Sequence, residues 1–199
     1  GIAEGRYVLR SPAGAPWKTF AQLVSYVKAN PGKVNYGSSA IQVRFPVLVL
    51  MKELSLDMVH IPYPSGARFL QAIVAGEIDV GLTGEASLAA VGDRVRVLAA
   101  TGNPRLPAYP DAPTFTELGF PQLRGPSYGL GVRAGTPSGA IERLVASTRS
   151  ALQEPDVRAS LAKMQLETLN EPPDVVARRF ADLARFYVVF GRAVGIEPK

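Results

Sequence analysis

Segments of helical period alternate with short β-branched runs through the first half of the chain, and this constrains the fold more than any other feature. Thr19 opens a helix, with Gln22 three residues on at capping-box spacing. Phe20, Leu23, Val24 and Val27 recur at helical period, and Pro31-Gly32 stops the pattern. Lys33 to Gly37 reads as a short strand. A helix through Pro46, Val47, Leu50, Met51 and Leu54 follows, then a strand from Met58 to Ile61. A third helix opens at Gly66, carries Ala67, Leu70, Ile73 and Val74 on one face and ends at Gly76. Ile78 to Leu82 reads as a strand, Glu85 to Val91 as a short helix and Val95 to Ala100 as a strand. Such alternation predicts right-handed βαβ units and a parallel sheet.

The texture changes after Ala100. Residues 101–126 hold six prolines and read as a long connection with one short helix at Phe115 to Leu118. A strand-like run, Tyr128 to Val132, ends at Ala134-Gly135-Thr136-Pro137. Helical patterns then cover Gly139 to Leu152, Pro155 to Met164 and Pro173 to Val194. The chain therefore divides near Pro126: an α/β lobe over residues 1–126, and a crossover strand with C-terminal helices over residues 127–199.

Composition narrows the function. At 199 residues and 47% hydrophobic, the chain can bury a full core. The apolar run Val47 to Met51 is far too short to span a bilayer. With no cysteine, a disulfide scaffold, a thiolate nucleophile and a cysteine zinc site are excluded. A Ser-His-Asp triad would have to use the single histidine, His60, which sits inside a strand and reads as a sheet residue. No serine occupies a G-x-S-x-G turn, and Asp79 and Glu85 are the only carboxylates expected near the ligand edge. Nothing here implies an enzyme, a metal or a cofactor. The net charge of +5 favours acidic partners, but the basic residues are scattered, so nucleic acid is not among those expected. No signal peptide is visible, which fits either a cytoplasmic chain or a mature or truncated exported one. Trp17, just before the first helix, reads as a hydrophobic staple.

In a parallel α/β sheet, ligands sit beyond the carboxyl ends of the strands. That rule selects Ser38-Ser39-Ala40, Tyr63-Pro64-Ser65-Gly66, Thr83-Gly84-Glu85 and Thr101-Gly102-Asn103. The first three lead into helix N-termini, where free amides and the helix dipole favour an anion. Turn and cap chemistry accounts for any one of these loops taken singly. Taken together on one edge, they nominate Ser38, Ser39, Ala40, Tyr63, Ser65, Gly66, Thr83 and Gly84 as ligand-binding residues. Arg44 joins them. It falls near the first turn of a helix, where a cation opposes the dipole and a bound carboxylate would compensate. Arg68 is placed alike and is the weaker candidate; solvent exposure of both side chains is the alternative.

The residues also resemble a family. The motifs are Pro16-Trp17-Lys18-Thr19, then Ala29-Asn30-Pro31-Gly32-Lys33-Val34-Asn35-Tyr36-Gly37-Ser38, then Val59-His60-Ile61-Pro62-Tyr63 and Gly76-Glu77-Ile78-Asp79. Arg105 to Thr114, Glu117-Leu118-Gly119, Ala134-Gly135-Thr136-Pro137, Glu154-Pro155-Asp156-Val157 and Pro172-Pro173-Asp174 continue the series. In order and spacing the chain resembles the periplasmic solute-binding proteins of tripartite tricarboxylate transporters, the Bug or TctC-like receptors. The resemblance implies a two-lobed type II periplasmic binding-protein fold, here one parallel-sheet lobe plus the helical C-terminal part of a second. It implies a small organic acid held between lobes, delivery to a membrane permease, a periplasmic location and no cofactor.

Three departures qualify this. Set against the family pattern the chain looks truncated at its N-terminus, so the broad apolar face of Pro173 to Val194 is expected to call for a homodimer or a further segment. Ser38-Ser39-Ala40-Ile41-Gln42-Val43-Arg44 replaces a glycine-rich loop, with Arg44 where a histidine would fall. Arg133 replaces a common proline, and Leu166 stands near a common glycine. The alternative function is a truncated or divergent lobe acting as an interaction or sensory module without small-molecule binding.

Overall fold

The computed structural model describes residues 1–169 and 171–196. In chain order its strands and helices are β1 (Ala3–Glu4), β2 (Tyr7–Pro12), α1 (Phe20–Ala29), β3 (Val34–Ser38), α2 (Ile41–Glu53), β4 (Met58–Pro62), α3 (Gly66–Ala75), β5 (Val80–Gly84), β6 (Val95–Ala100), β7 (Ser127–Tyr128), α4 (Ser138–Ala151), α5 (Pro155–Lys163), β8 (Glu167–Thr168) and α6 (Pro173–Ala193). They form two compact units. Arg6–Gly125 makes one, and Gly1–Gly5 with the chain from Pro126 onward makes the other. The first five residues thus leave the lobe expected over 1–126, because β1 pairs with β7 and β8.

Local signals explain the helices of the α/β unit. Thr19 Oγ1 accepts from the Gln22 amide at 3.2 Å, while Gln22 Oε1 accepts from the Lys18 amide at 2.7 Å. Trp17 is buried, and its ring meets Tyr26 of α1 at 5.0 Å. Ser65 caps α3, and Gly76 ends it in the left-handed conformation at φ 76°.

The sheet order is β4-β3-β5-β2-β6. β3 runs parallel to β4 and β5, whereas β2 runs antiparallel to β5 and β6. The four strands expected from the sequence, β3, β4, β5 and β6, run the same way as a parallel set, and β2 inserts between β5 and β6 in the opposite direction to make the sheet mixed. β2 carries no strand signal in the sequence, because Val8 to Ser11 are all buried and show no alternation, and because Arg10 and Pro12 are poor strand formers. α3 packs on one face through Phe69, Ala72 and Ile73, joined in one core by Val8, Ile78, Val97 and Leu106. α2 packs against β3 and β5. The segment after β6 is tied down by Glu117, which accepts from the Thr114 amide at 2.7 Å and from Arg105 Nε at 2.9 Å.

Two short helices differ from expectation. Glu85 to Val91 is a 3-10 turn over Glu85–Leu88, and Phe115 to Leu118 is a turn closed by a bond from the Leu118 amide to Thr114 O.

The second unit has a small antiparallel sheet, β7-β1-β8, with two residues in each strand. The strand expected over Tyr128 to Val132 shortens to Ser127–Tyr128, and Gly129 to Val132 are exposed. α6 leaves Phe180 44% and Val189 65% exposed. A cavity of about 650 Å3 opens in this unit, lined by Leu130, Val132, Ile141, Leu144, Val176 and Phe180 among others. Among the described residues no helix is long and apolar enough to cross a membrane.

Candidate functional site

β3, β4 and β5 end on the same edge of the sheet, at Ser38, Pro62 and Gly84. β2, running the other way, begins there at Tyr7, paired with Gly84. Ser38, Thr83 and Gly84 close strands at this edge, Ser39, Ala40, Tyr63, Ser65 and Gly66 follow in the loops and helix starts that leave it, and Arg44 lies one turn into α2.

Ser38 is buried, and its Oγ lies 2.8 Å from His60 Nε2. This contact is diagonal: Tyr36 stands opposite His60 and Ser38 opposite Pro62 in the β3–β4 register. The Tyr36 ring stacks on the imidazole at 4.9 Å. The Ser38 carbonyl also accepts from the Tyr63 amide at 2.9 Å, which couples the β3–α2 and β4–α3 loops. Ser39 lies at the same junction, its Oγ 3.8 Å from where a Cβ on Gly66 would stand.

Ala40 occupies the N-cap of α2 and offers no side-chain acceptor, so the amides of the first turn are uncapped. Arg44 sits one turn in, its amide bonded to Ala40 O at 3.1 Å. Its Nε is buried with no hydrogen-bond partner, and among the described residues no carboxylate pairs with it. Burial and, behind it, the Arg44 guanidinium push the His60 imidazole below its ordinary value. His60 is thus joined to Ser38 by contact and to Arg44 through charge.

The other nominated residues have protein partners. Tyr63 packs edge-to-face on Phe69 at 5.8 Å; burial, helped by Glu77, pushes its phenol up. Ser65 Oγ accepts from the Arg68 amide at 3.3 Å, and Arg68 Nη1 reaches Gln71. Thr83 Oγ1 lies 3.1 Å from Ser87 Oγ, which donates to Gly84 O at 2.7 Å. Thr101 is buried and accepts from the Tyr7 amide at 2.8 Å.

Sequence reasoning missed three features. His60 read as a sheet residue, and only the strand register brings it to Ser38. Arg10, in the unassigned strand β2, is fully buried, and its Nη2 donates to Gly84 O at 3.1 Å. Burial lowers its guanidinium to about 10, so the charge is held at a cost to stability at neutral pH. Asp79 is not at this edge. Its Oδ2 accepts from the Asn35 amide at 2.7 Å, near the amino ends of β3 and β5.

This edge offers uncapped amides, hydroxyls and an unpaired guanidinium nitrogen, a donor set for an oxyanion. A family model, the tripartite tricarboxylate transporter family receptor, matches residues 1–185. The chain belongs to that family. A UPF0065 protein of Cupriavidus necator is 31% identical over 169 residues, covering 83% of this chain and 52% of its own length. A UPF0065 protein of Bordetella pertussis is 28% identical over 199 residues, covering 96% of this chain and 61% of the relative. The chain thus spans about half to three-fifths of these relatives. A solved periplasmic transporter superposes at TM-score 0.81 with 25% identity over 98% of this chain and 67% of its own. A Rhodopseudomonas palustris protein with adipate gives 0.78 at 23% identity, covering all of this chain and 68% of its own. MatC of the same organism, with bound malate, gives 0.72 at 24% identity, covering 92% and 65%. The fold is accordingly that of the α/β periplasmic binding proteins, and the family is one of receptors.

Proposed function

We propose that the α/β unit of this receptor captures a small carboxylate at the Ser38–Arg44 edge, outside the cytoplasm, for delivery to a transporter of the tripartite type. One observation carries the reading: an uncapped α2 N-terminus, two residues beyond the His60-bonded Ser38, with a buried, unpaired Arg44 Nε one turn into the helix. Both features are costly unless an anion completes them. The adipate and malate on the two solved neighbours support a carboxylate as that anion. Ser39, Ala40, Tyr63, Ser65, Gly66, Thr83 and Gly84 shape the rim by amides and hydroxyls, with no catalytic step.

Calorimetry with malate and adipate tests this. Ser38→Ala should weaken the tighter of the two about ten-fold, the value of one hydrogen bond to a charged group, while stability falls by less than about 1 kcal/mol. Unchanged affinity would remove Ser38 from the site.

The exposed apolar surface of the second unit belongs to the same reading. The relatives are longer than this chain, and in these 199 residues Phe180 and Val189 are exposed beside an apolar-lined cavity. The 199 residues by themselves should therefore self-associate in a sedimentation series. A clean monomer with full helical signal at every concentration would contradict this.

A further inference from the structure

Ser38 Oγ has one proton and two lone pairs, and His60 Nε2 at 2.8 Å uses one side of it. Two arrangements exist. If Nε2 is bare, Ser38 must donate its only proton to the ring and presents lone pairs to an incoming solute. If Nε2 carries a proton, the ring donates to Ser38, whose own proton is then free for a carboxylate. An imidazolium donates from both nitrogens and enforces the second arrangement.

We propose, resting on the carboxylate reading above, that His60 is a positioning residue: it directs the Ser38 hydroxyl and makes solute capture proton-linked.

The surroundings supply the coupling. The Ser38 hydroxyl and the Tyr36 ring, both from β3, lie against the imidazole, and the Arg44 guanidinium of α2 acts on it through its charge. Arg44 is the charged group acting on the imidazole, and with burial it favours the neutral ring while the site is empty. A carboxylate on Arg44 cancels that repulsion and rewards a protonated Nε2 through Ser38. The bound state therefore holds the proton more tightly than the free state. By linkage, binding takes up protons. Affinity is highest below the titration of the free ring and declines as pH rises through that of the bound ring. His60 is half-buried on the edge strand β4, so solvent can supply the proton.

His60 is the only histidine, so its ring protons report the titration without assignment ambiguity. The test is NMR titration of the 199-residue chain with and without saturating malate or adipate, joined to calorimetry at pH 6 and pH 8. Both probe acids remain largely ionised in that window. We expect the ring's midpoint to rise on binding, and affinity to be about five-fold tighter at pH 6 than at pH 8. His60→Gln, whose side-chain amide donates at every pH, should bind equally at both. Tight binding with equal affinity at the two pH values and an unmoved ring would overturn this proposal and leave the carboxylate reading standing. A pH dependence that persists in His60→Gln would also overturn it, by assigning the proton elsewhere. No binding of either acid at pH 6 would overturn both.

Discussion

Gly81→Ala should cost about 3 kcal/mol of stability and lower the unfolding midpoint by roughly 10 °C, a large effect for one methyl group. A Cβ at Gly81 would stand 2.5 Å from Phe69 Cζ and 2.7 Å from the Gly37 carbonyl oxygen. The second of these is backbone and cannot rotate away. Gly37 lies directly opposite Gly81 in the β3–β5 register, and its own Cβ would meet Phe69 at 2.5 Å. The two glycines form a flat floor on which α3 lays its phenylalanine. Phe69 in turn backs Tyr63, so displacing the ring disturbs the loop that carries Ser65 and Gly66. Binding of the probe acids should weaken together with stability. Gly84→Ala is the contrast: nothing lies within 4 Å of its Cβ position, and φ is −65°. That variant should melt within about 0.5 kcal/mol of the parent. Chemical denaturation of the two variants side by side decides the matter, and equal midpoints would contradict the packing argument.

Arg44→Met should lower affinity for the tighter probe acid by roughly 30- to 150-fold, the equivalent of about 2–3 kcal/mol for a hydrogen-bonded charge. Stability should hardly change, because the aliphatic stem is kept and a buried Nε without a partner is removed. Salt dependence of the remaining binding should flatten, since the formal attraction is gone. The substitution also relieves the repulsion on His60, so the ring's midpoint in the empty protein should move up toward its ordinary value. Calorimetry at two salt concentrations, with the ring titrated by NMR, checks all three outcomes. Affinity within three-fold of the parent would place the anion away from Arg44.

The sequence alone determined the parts governed by neighbours along the chain. The Thr19–Gln22 cap, the Ser65 cap, the left-handed Gly76 and the extents of β6, α4, α5 and α6 all follow from short-range periodicity and turn chemistry. The carboxyl edge followed too, because strand–loop–helix order dictates which loops gather there. Its motifs carried the family resemblance. Tertiary structure decided what depends on residues far apart. β2 enters between β5 and β6 and turns a parallel sheet into a mixed one, although Val8 to Ser11 show no period. Ser38 meets His60 only through the β3–β4 register, 22 positions apart in sequence. Gly37 and Gly81 are needed because Phe69 crosses above them and, at Gly81, because the Gly37 carbonyl oxygen stands close by. Arg10 reaches Gly84 from 74 residues away. A local pattern fixes backbone preference and which face is apolar; which side chain from another segment fills that face depends on sheet order and register, which no single window of sequence contains.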